Sequence, residues 1–370
     1  MDGFRQCNRS GLVAGLILCF DLMLIVIAGF IMEGCYRDTP DLDNRSPSSQ
    51  VSRAEISPGS PIRRVLLVHS YHREYEWVAG ISRGVKRALQ RSDVELEFFY
   101  MDTKRTTDEA WKVDSGEAAK KTVADWRPDV VIAVDDNAQK YFAASFIGKG
   151  TPKVVFCGVN AEPGKYGYPA KNVTGMLERP HLESSLLLAK KIVPKIHRIA
   201  VLSDNSLTSE GAIEYMRSLQ TGFEMVSWET PSTFESWKAA VLRAQASADA
   251  IVIYTYHTVK PDNSSESLNP KIVMEWTVAN SKIPLIGLFT FGIDDGMLCG
   301  VVESAVEHGF EAGEIALSLL SGMCAGNIPV KTAEKGQIML NLNTARRLGL
   351  EVSKSLIEEA DIVIGGLNDD

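Results

Sequence analysis

The sequence predicts an α/β protein of two doubly wound parallel-sheet lobes with a ligand cleft between them. Three observations carry this expectation. From Arg64 onward, short β-branched runs alternate with helical patterns, as parallel sheets with helical crossovers require. The alternation restarts after Asn172, giving two halves of one architecture without a sequence repeat. Polar or aromatic residues stand just past the strand ends, where open α/β sheets bind ligands.

The 370 residues suit two domains and a tail. Arg5 and Arg9 precede an apolar run over Leu12–Met32, broken once by Asp21, which is the pattern of a secretion signal. The run ends in Gly34-Cys35, similar to a bacterial lipoprotein cleavage box, although Glu33 fits that box poorly. The expectation is lipidation at Cys35, with an uncleaved membrane anchor or a plain signal peptide as alternatives. Each places the folded part outside the cytoplasmic membrane, in the periplasm or at the cell surface. Residues 36–62, rich in Ser, Pro and Asp, read as a flexible tether.

The first lobe is expected over 63–172. Its strands are Val65–Ser70, Val94–Tyr100, Val130–Asp135 and Lys153–Val159, with helices Val78–Gln90, Asp108–Asp125 and Ala138–Phe146 between them. Pro128 and Pro152 mark where helices have ended before the next strand. Asn172–Glu178 reads as an extended crossing into the second lobe, expected over 173–302. That lobe alternates helix His181–Val193, strand Ile199–Asp204, helix Glu210–Leu219, strand Glu224–Trp228, helix Thr233–Ala246 and strand Ala250–Tyr256. Helix Lys271–Asn280, strands Leu285–Phe289 and Cys299–Glu303, helix Val306–Leu320, strand Ile338–Leu342 and a helical tail complete the chain.

Composition excludes several classes. The net charge of −8 without a basic block argues against nucleic acid, whose phosphates need clustered Lys and Arg. Six cysteines follow no framework or zinc spacing. Cys157, Cys299 and Cys324 are expected as buried thiols, a Cys299–Cys324 disulfide being the alternative. His69 and His72 stand three residues apart, yet His69 sits in an apolar strand, so no metal is expected. Asp135-Asp136 is no acid/base dyad, because neighbours on a strand point to opposite faces. There is no GxSxG, no P-loop and no GxGxxG after a strand. Neither an enzyme nor a cofactor is expected.

The strand ends supply the binding candidates. Ser70, Tyr71 and Trp77 follow the first strand, Asp135, Asp136 and Asn137 the third, Gly158 and Asn160 the fourth. Asp204 and Tyr254 are their counterparts in the second half. An aspartate at 135 or 136 suits an ammonium, helix N-termini suit a carboxylate, and Tyr71, Trp77 and Tyr254 offer ring faces. An amino-acid-like or other small polar solute fits that set. Each residue also has a plain structural role open to it. Asp136, Asn137 and Asp204 can cap helices, Tyr254 and Tyr256 can pack on a sheet, and Trp77 can staple a loop to the core.

SYHREYEWVAGISRGV (Ser70–Val85), VIAVDDNAQKYF (Val131–Phe142) and VVFCGVNAEP (Val154–Pro163) resemble a known family. So do GVVESAVEHGFEAGEIALSLLSG (Gly300–Gly322) and MLNLNTARRLGLEVSKSLIEEADIVI (Met339–Ile364). The chain from Arg64 on resembles the ABC-transporter substrate-binding proteins assigned to aromatic amino acids, of the type I periplasmic binding fold. It is also similar to the extracellular sensor domains of some histidine kinases. The resemblance implies two lobes closing on a small ligand, with passages between them near Asn172, Glu303 and Asn327. It puts Ser70, Tyr71, Trp77, Asp136, Asn137, Gly158, Asn160, Asp204 and Tyr254 in the cleft, with Glu303 at a crossing. An ABC permease is the implied partner. Asp135-Asp136-Asn137 departs from the small residues of the transporter type and resembles the kinase-sensor form, which implies a sensor kinase as the alternative partner.

Overall fold

A computed structural model describes residues 62–333 and 336–366. Cys35, the apolar N-terminal run and nearly all of the tether lie outside the described residues. No helix among the described residues is long and apolar enough to cross a membrane.

The first lobe runs β1 (Arg63–His69), α1 (Glu76–Leu89), β2 (Val94–Tyr100), α2 (Glu109–Trp126), β3 (Val130–Val134), α3 (Asp135–Tyr141), β4 (Lys153–Val159) and β5 (Val173–Leu177). The second continues with α4 (Leu182–Ile192), β6 (Arg198–Leu202), α5 (Leu207–Ser218), β7 (Glu224–Glu229), α6 (Phe234–Ser247) and β8 (Ala250–Ile253). It goes on through α7 (Pro270–Asn280), β9 (Leu285–Gly287), α8 (Thr290–Asp294) and β10 (Cys299–Val302). Then follow α9 (Ala305–Leu320), β11 (Lys331–Thr332), β12 (Gln337–Asn341), α10 (Leu342–Arg347), α11 (Lys354–Glu359) and β13 (Ile362–Ile364).

One sheet has the order β11-β5-β4-β3-β1-β2, the other β13-β12-β10-β9-β8-β6-β7. The central strands β3 and β8 are unbroken runs of Val, Ile and Ala, and β1 carries a run of Val and Leu over Val65–Val68, as strands buried on both faces must. All pairs are parallel except β10 with β12. That exception arises because the chain between those strands returns from the first lobe rather than through a crossover helix.

The strand memberships move two of the expected passages. Residues 173–177 are not a crossing but β5, hydrogen-bonded to β4 within the first sheet. The chain therefore leaves that lobe after Leu177 rather than near Asn172. The third passage follows β11, which pairs with β5, and so lies beyond Thr332 rather than near Asn327. The passage at Glu303 stands between β10 and α9, and α9 packs on α1 of the first lobe. Backbones touch there: a Cβ on Gly84 would lie 2.1 Å from Val306 O, and one on Gly309 2.1 Å from Ile81 O. Only glycine permits that approach.

Two local expectations also change. The helix after β3 starts at Asp135, three residues early, because Asp135 takes a left-handed φ of 64° and turns strand directly into helix. The three described cysteines are free, as Cys157 and Cys299 are buried but Cys324 is exposed.

Candidate functional site

The carboxyl ends of both sheets face each other, and the lobes are joined there. Tyr71 Oη lies 2.6 Å from Thr208 Oγ1 on α5 of the second lobe. Tyr254, just past β8, places its hydroxyl 2.6 Å from Glu178 Oε1 and 2.9 Å from Asn160 Oδ1 on the first. At the rim, Lys165 pairs with Glu214 at 2.5 Å.

Rings from both lobes enclose this space. Tyr75 meets His257 at 4.8 Å and Phe291 at 5.8 Å between centroids, and Trp77 meets Phe289 at 5.4 Å. The Lys104 ammonium rests on Tyr71 at 4.5 Å and Tyr75 at 5.4 Å, a cation–π placement, with the residue 3% exposed.

The two neighbouring aspartates point apart and differ in state. Asp136 accepts from Asn160 N at 3.2 Å, Ala161 N at 3.0 Å and Tyr166 Oη at 2.9 Å. Burial raises its pKa to about 6 against the pull of those bonds. Asp135 accepts from Trp77 Nε1 at 2.9 Å through Oδ1, and its buried Oδ2 has no partner. Burial, with the charge of Glu178 next, pushes its carboxyl well above the usual range.

Behind Asp135 stands a second acidic group. Glu178, following β5, is pushed up to about 8 by burial and then by the charge of Glu303. Glu303, at the next passage, accepts from Arg179 N at 2.8 Å and sits 2.5 Å from His308 Nε2. Burial alone would lower His308, but the Glu303 charge together with its contacts to Cys157 and Glu303 outweighs it and holds His308 well above its ordinary value.

The remaining sequence candidates divide cleanly. Ser70 Oγ donates to Val134 O at 2.6 Å and accepts from Ala138 N at 2.8 Å, which fixes the β3–α3 turn. Asp204 accepts from Ser206, Ser209, Thr255 and Thr258 N, all in its own lobe. Burial works to raise its pKa, but Lys104 and those bonds lower it. Ser206, not Asp204, caps α5. Asn137 donates to Thr103 Oγ1 at 2.8 Å and leaves Oδ1 unpartnered, while Asn160 leaves Nδ2 unpartnered. Gly158 lies beside Asp135 and Trp77. Tyr75, Lys104, Glu178, Phe289 and Phe291 join the set without having been singled out from sequence.

His69 Nε2 lies 2.9 Å from Ser82 Oγ, and burial lowers its pKa to about 3. Among the described residues no His, Cys, Asp and Glu group is arranged to hold a metal.

Comparison with known proteins agrees with this architecture. The chain is 26% identical over 188 residues to a tyrosine-binding protein of Clostridioides difficile (strain R20291). That match spans 50% of this chain and 51% of the relative, about half the length of each. Among solved structures, an ABC domain in complex with L-Trp from Streptococcus pneumonia superposes with TM-score 0.66 at 18% identity. The match covers 82% of this chain and 100% of that one. A ligand-free, open substrate binding protein with adhesive properties from Clostridium difficile gives 0.59 at 19% identity, with the same coverage. These likenesses establish the type I periplasmic binding fold. A family model described as ABC transporter substrate binding protein matches residues 75–364, so the chain belongs to that family of solute-binding proteins.

Proposed function

We propose that the protein captures an amino-acid-type zwitterion between its lobes and delivers it to an ABC permease. The observation that carries this reading is Asp135 Oδ2, a buried acceptor without a partner, set among rings contributed by both lobes. A buried carboxyl left so is costly unless a donor reaches it, and a ligand ammonium supplies both donor and charge. Asn160 Nδ2 stands ready to donate to the ligand carboxylate. Tyr71, Tyr75, Trp77, Tyr254 and Phe289 then contact an apolar or aromatic side chain. The names of the tyrosine-binding relative and the L-Trp complex support this choice of ligand class. Solute binding by hinge closure needs no catalytic group, and none is assigned.

The protein works outside the cytoplasmic membrane, held there through Cys35 lipidation or its apolar N-terminal run. Asp135-Asp136-Asn137 favours a second reading, in which closure signals to a separate sensor kinase. Permease genes beside this one support delivery, and kinase genes support signalling. Binding itself is tested by thermal unfolding of the full-length protein with each of the common amino acids. A ligand at a hundred times its Kd adds about 2.7 kcal/mol, and no shift with any of them refutes the ligand class.

A further inference from the structure

Residues of both lobes line a pocket of about 140 Å³. That is room for about four or five waters, or for one small oxyanion. Tyr71, Lys104 and Lys112 line it from the first lobe, and Ser206, Thr258 and Lys260 from the second. Its lining holds three lysines and no carboxylate.

The charges there are poorly balanced. Lys104 feels Asp135 and Asp204, but the bonds described above engage all of Asp204 and one oxygen of Asp135. Lys112 reaches Glu109 only at 4.0 Å, and no ion pair of Lys104 or Lys260 occurs among the described residues. Lys112 and Lys260 belong to opposite lobes, so closure brings two cations together. Burial first, and then Lys140 and Lys260, depress the Lys112 ammonium. Thr258 Oγ1, in a residue more than nine-tenths buried, has no partner. Lysines and an idle hydroxyl converging from two lobes form a site for a group of opposite charge.

We propose that this pocket binds one carboxylate or phosphate group, and that the bound anion seals the closed lobes. The anion is either a free ion or a second acidic group on the captured solute. The inference goes beyond the amino-acid reading, and its phosphate arm stands without it.

The test is thermal unfolding of the full-length protein with inorganic phosphate, at ionic strength held constant with sodium chloride. Wild type is expected to gain stability that Lys260→Gln does not; Lys260 is a half-buried surface residue whose loss leaves the core intact. A second arm compares O-phospho-L-serine with L-serine and L-glutamate with L-glutamine. A preference of about tenfold for the acidic member, lost in Lys260→Gln, assigns the pocket to the solute's own anion. A phosphate shift without that preference assigns it to a free ion. Absence of both, or an equal response in Lys260→Gln, overturns the proposal. Failure of every amino acid with the phosphate shift intact refutes only the amino-acid reading.

Discussion

Trp77 Nε1 donates to Asp135 Oδ1 at 2.9 Å, and this one bond fixes the direction of the cleft's idle carboxylate oxygen. Trp77 lies on the first turn of α1 and Asp135 on the first residue of α3, so two helix starts hold the acceptor in place.

Asp135→Asn keeps an acceptor for Trp77 and suits the left-handed backbone, which Asn tolerates better than most residues. It removes a buried carboxyl whose ionisation burial and Glu178 oppose. The expected result is a melting temperature at or above wild type, with amino-acid affinity reduced at least tenfold. Calorimetry with the best ligand, alongside thermal unfolding, reads both quantities.

Asp136→Ala has the opposite signature. It leaves Asn160 N, Ala161 N and Tyr166 Oη without their shared acceptor in a buried setting. The expected loss is about 3 kcal/mol of stability, measured as a lower urea midpoint at unchanged slope. A variant of wild-type stability that fails to bind would instead put Asp136 on the ligand.

The pH dependence follows from Glu178 and His308. Both have folded pKa values raised above their unfolded ones, so each contributes stability that is lost as pH rises through the folded value. Groups lowered by burial, such as His69, act below about pH 6.5 and in the opposite sense. Between pH 6.5 and 8 the folded state should therefore lose about 2–3 kcal/mol, about half of which Glu178→Gln removes. Urea unfolding across that interval checks the sign; a rise in wild-type stability contradicts it.

Closure depends on Gly211. A Cβ there would lie 2.5 Å from Ala161 N, because α5 of one lobe rests on the loop after β4 of the other. Gly211→Ala should lower ligand affinity by about tenfold or more while far-UV circular dichroism stays unchanged. Small-angle scattering of that variant with ligand should show a larger radius of gyration than wild type.

Much of the fold was legible because strand and helix periods are local. The cores of Val65–Ser70 and Ala250–Tyr256 are recognisable without knowing their neighbours, although β1 ends at His69 and β8 at Ile253. The fate of residues 173–177 was not, since a five-residue extended run pairs wherever an edge is free. The site was legible in part for the same reason. Tyr71, Trp77 and Tyr254 face across the cleft, as strand-end residues should. The division between Asp135 and Asp136 depends on the left-handed turn at Asp135 and on Tyr166, thirty residues later. Glu178 followed a segment read as a crossing. Lys104, flanked by Thr103 and Arg105 after the second strand, reads as a solvated charge until two tyrosine rings arrive beneath it.

In the proposed mode of binding, Asp135 receives the amino group of an amino-acid ligand. The most direct measurement is calorimetric titration of the full-length protein with L-tyrosine, L-tryptophan and their desamino analogues. The expected result is 1:1 binding of an amino acid and loss of at least about tenfold when the amine is removed. Equal affinity for an amino acid and its desamino analogue would contradict it.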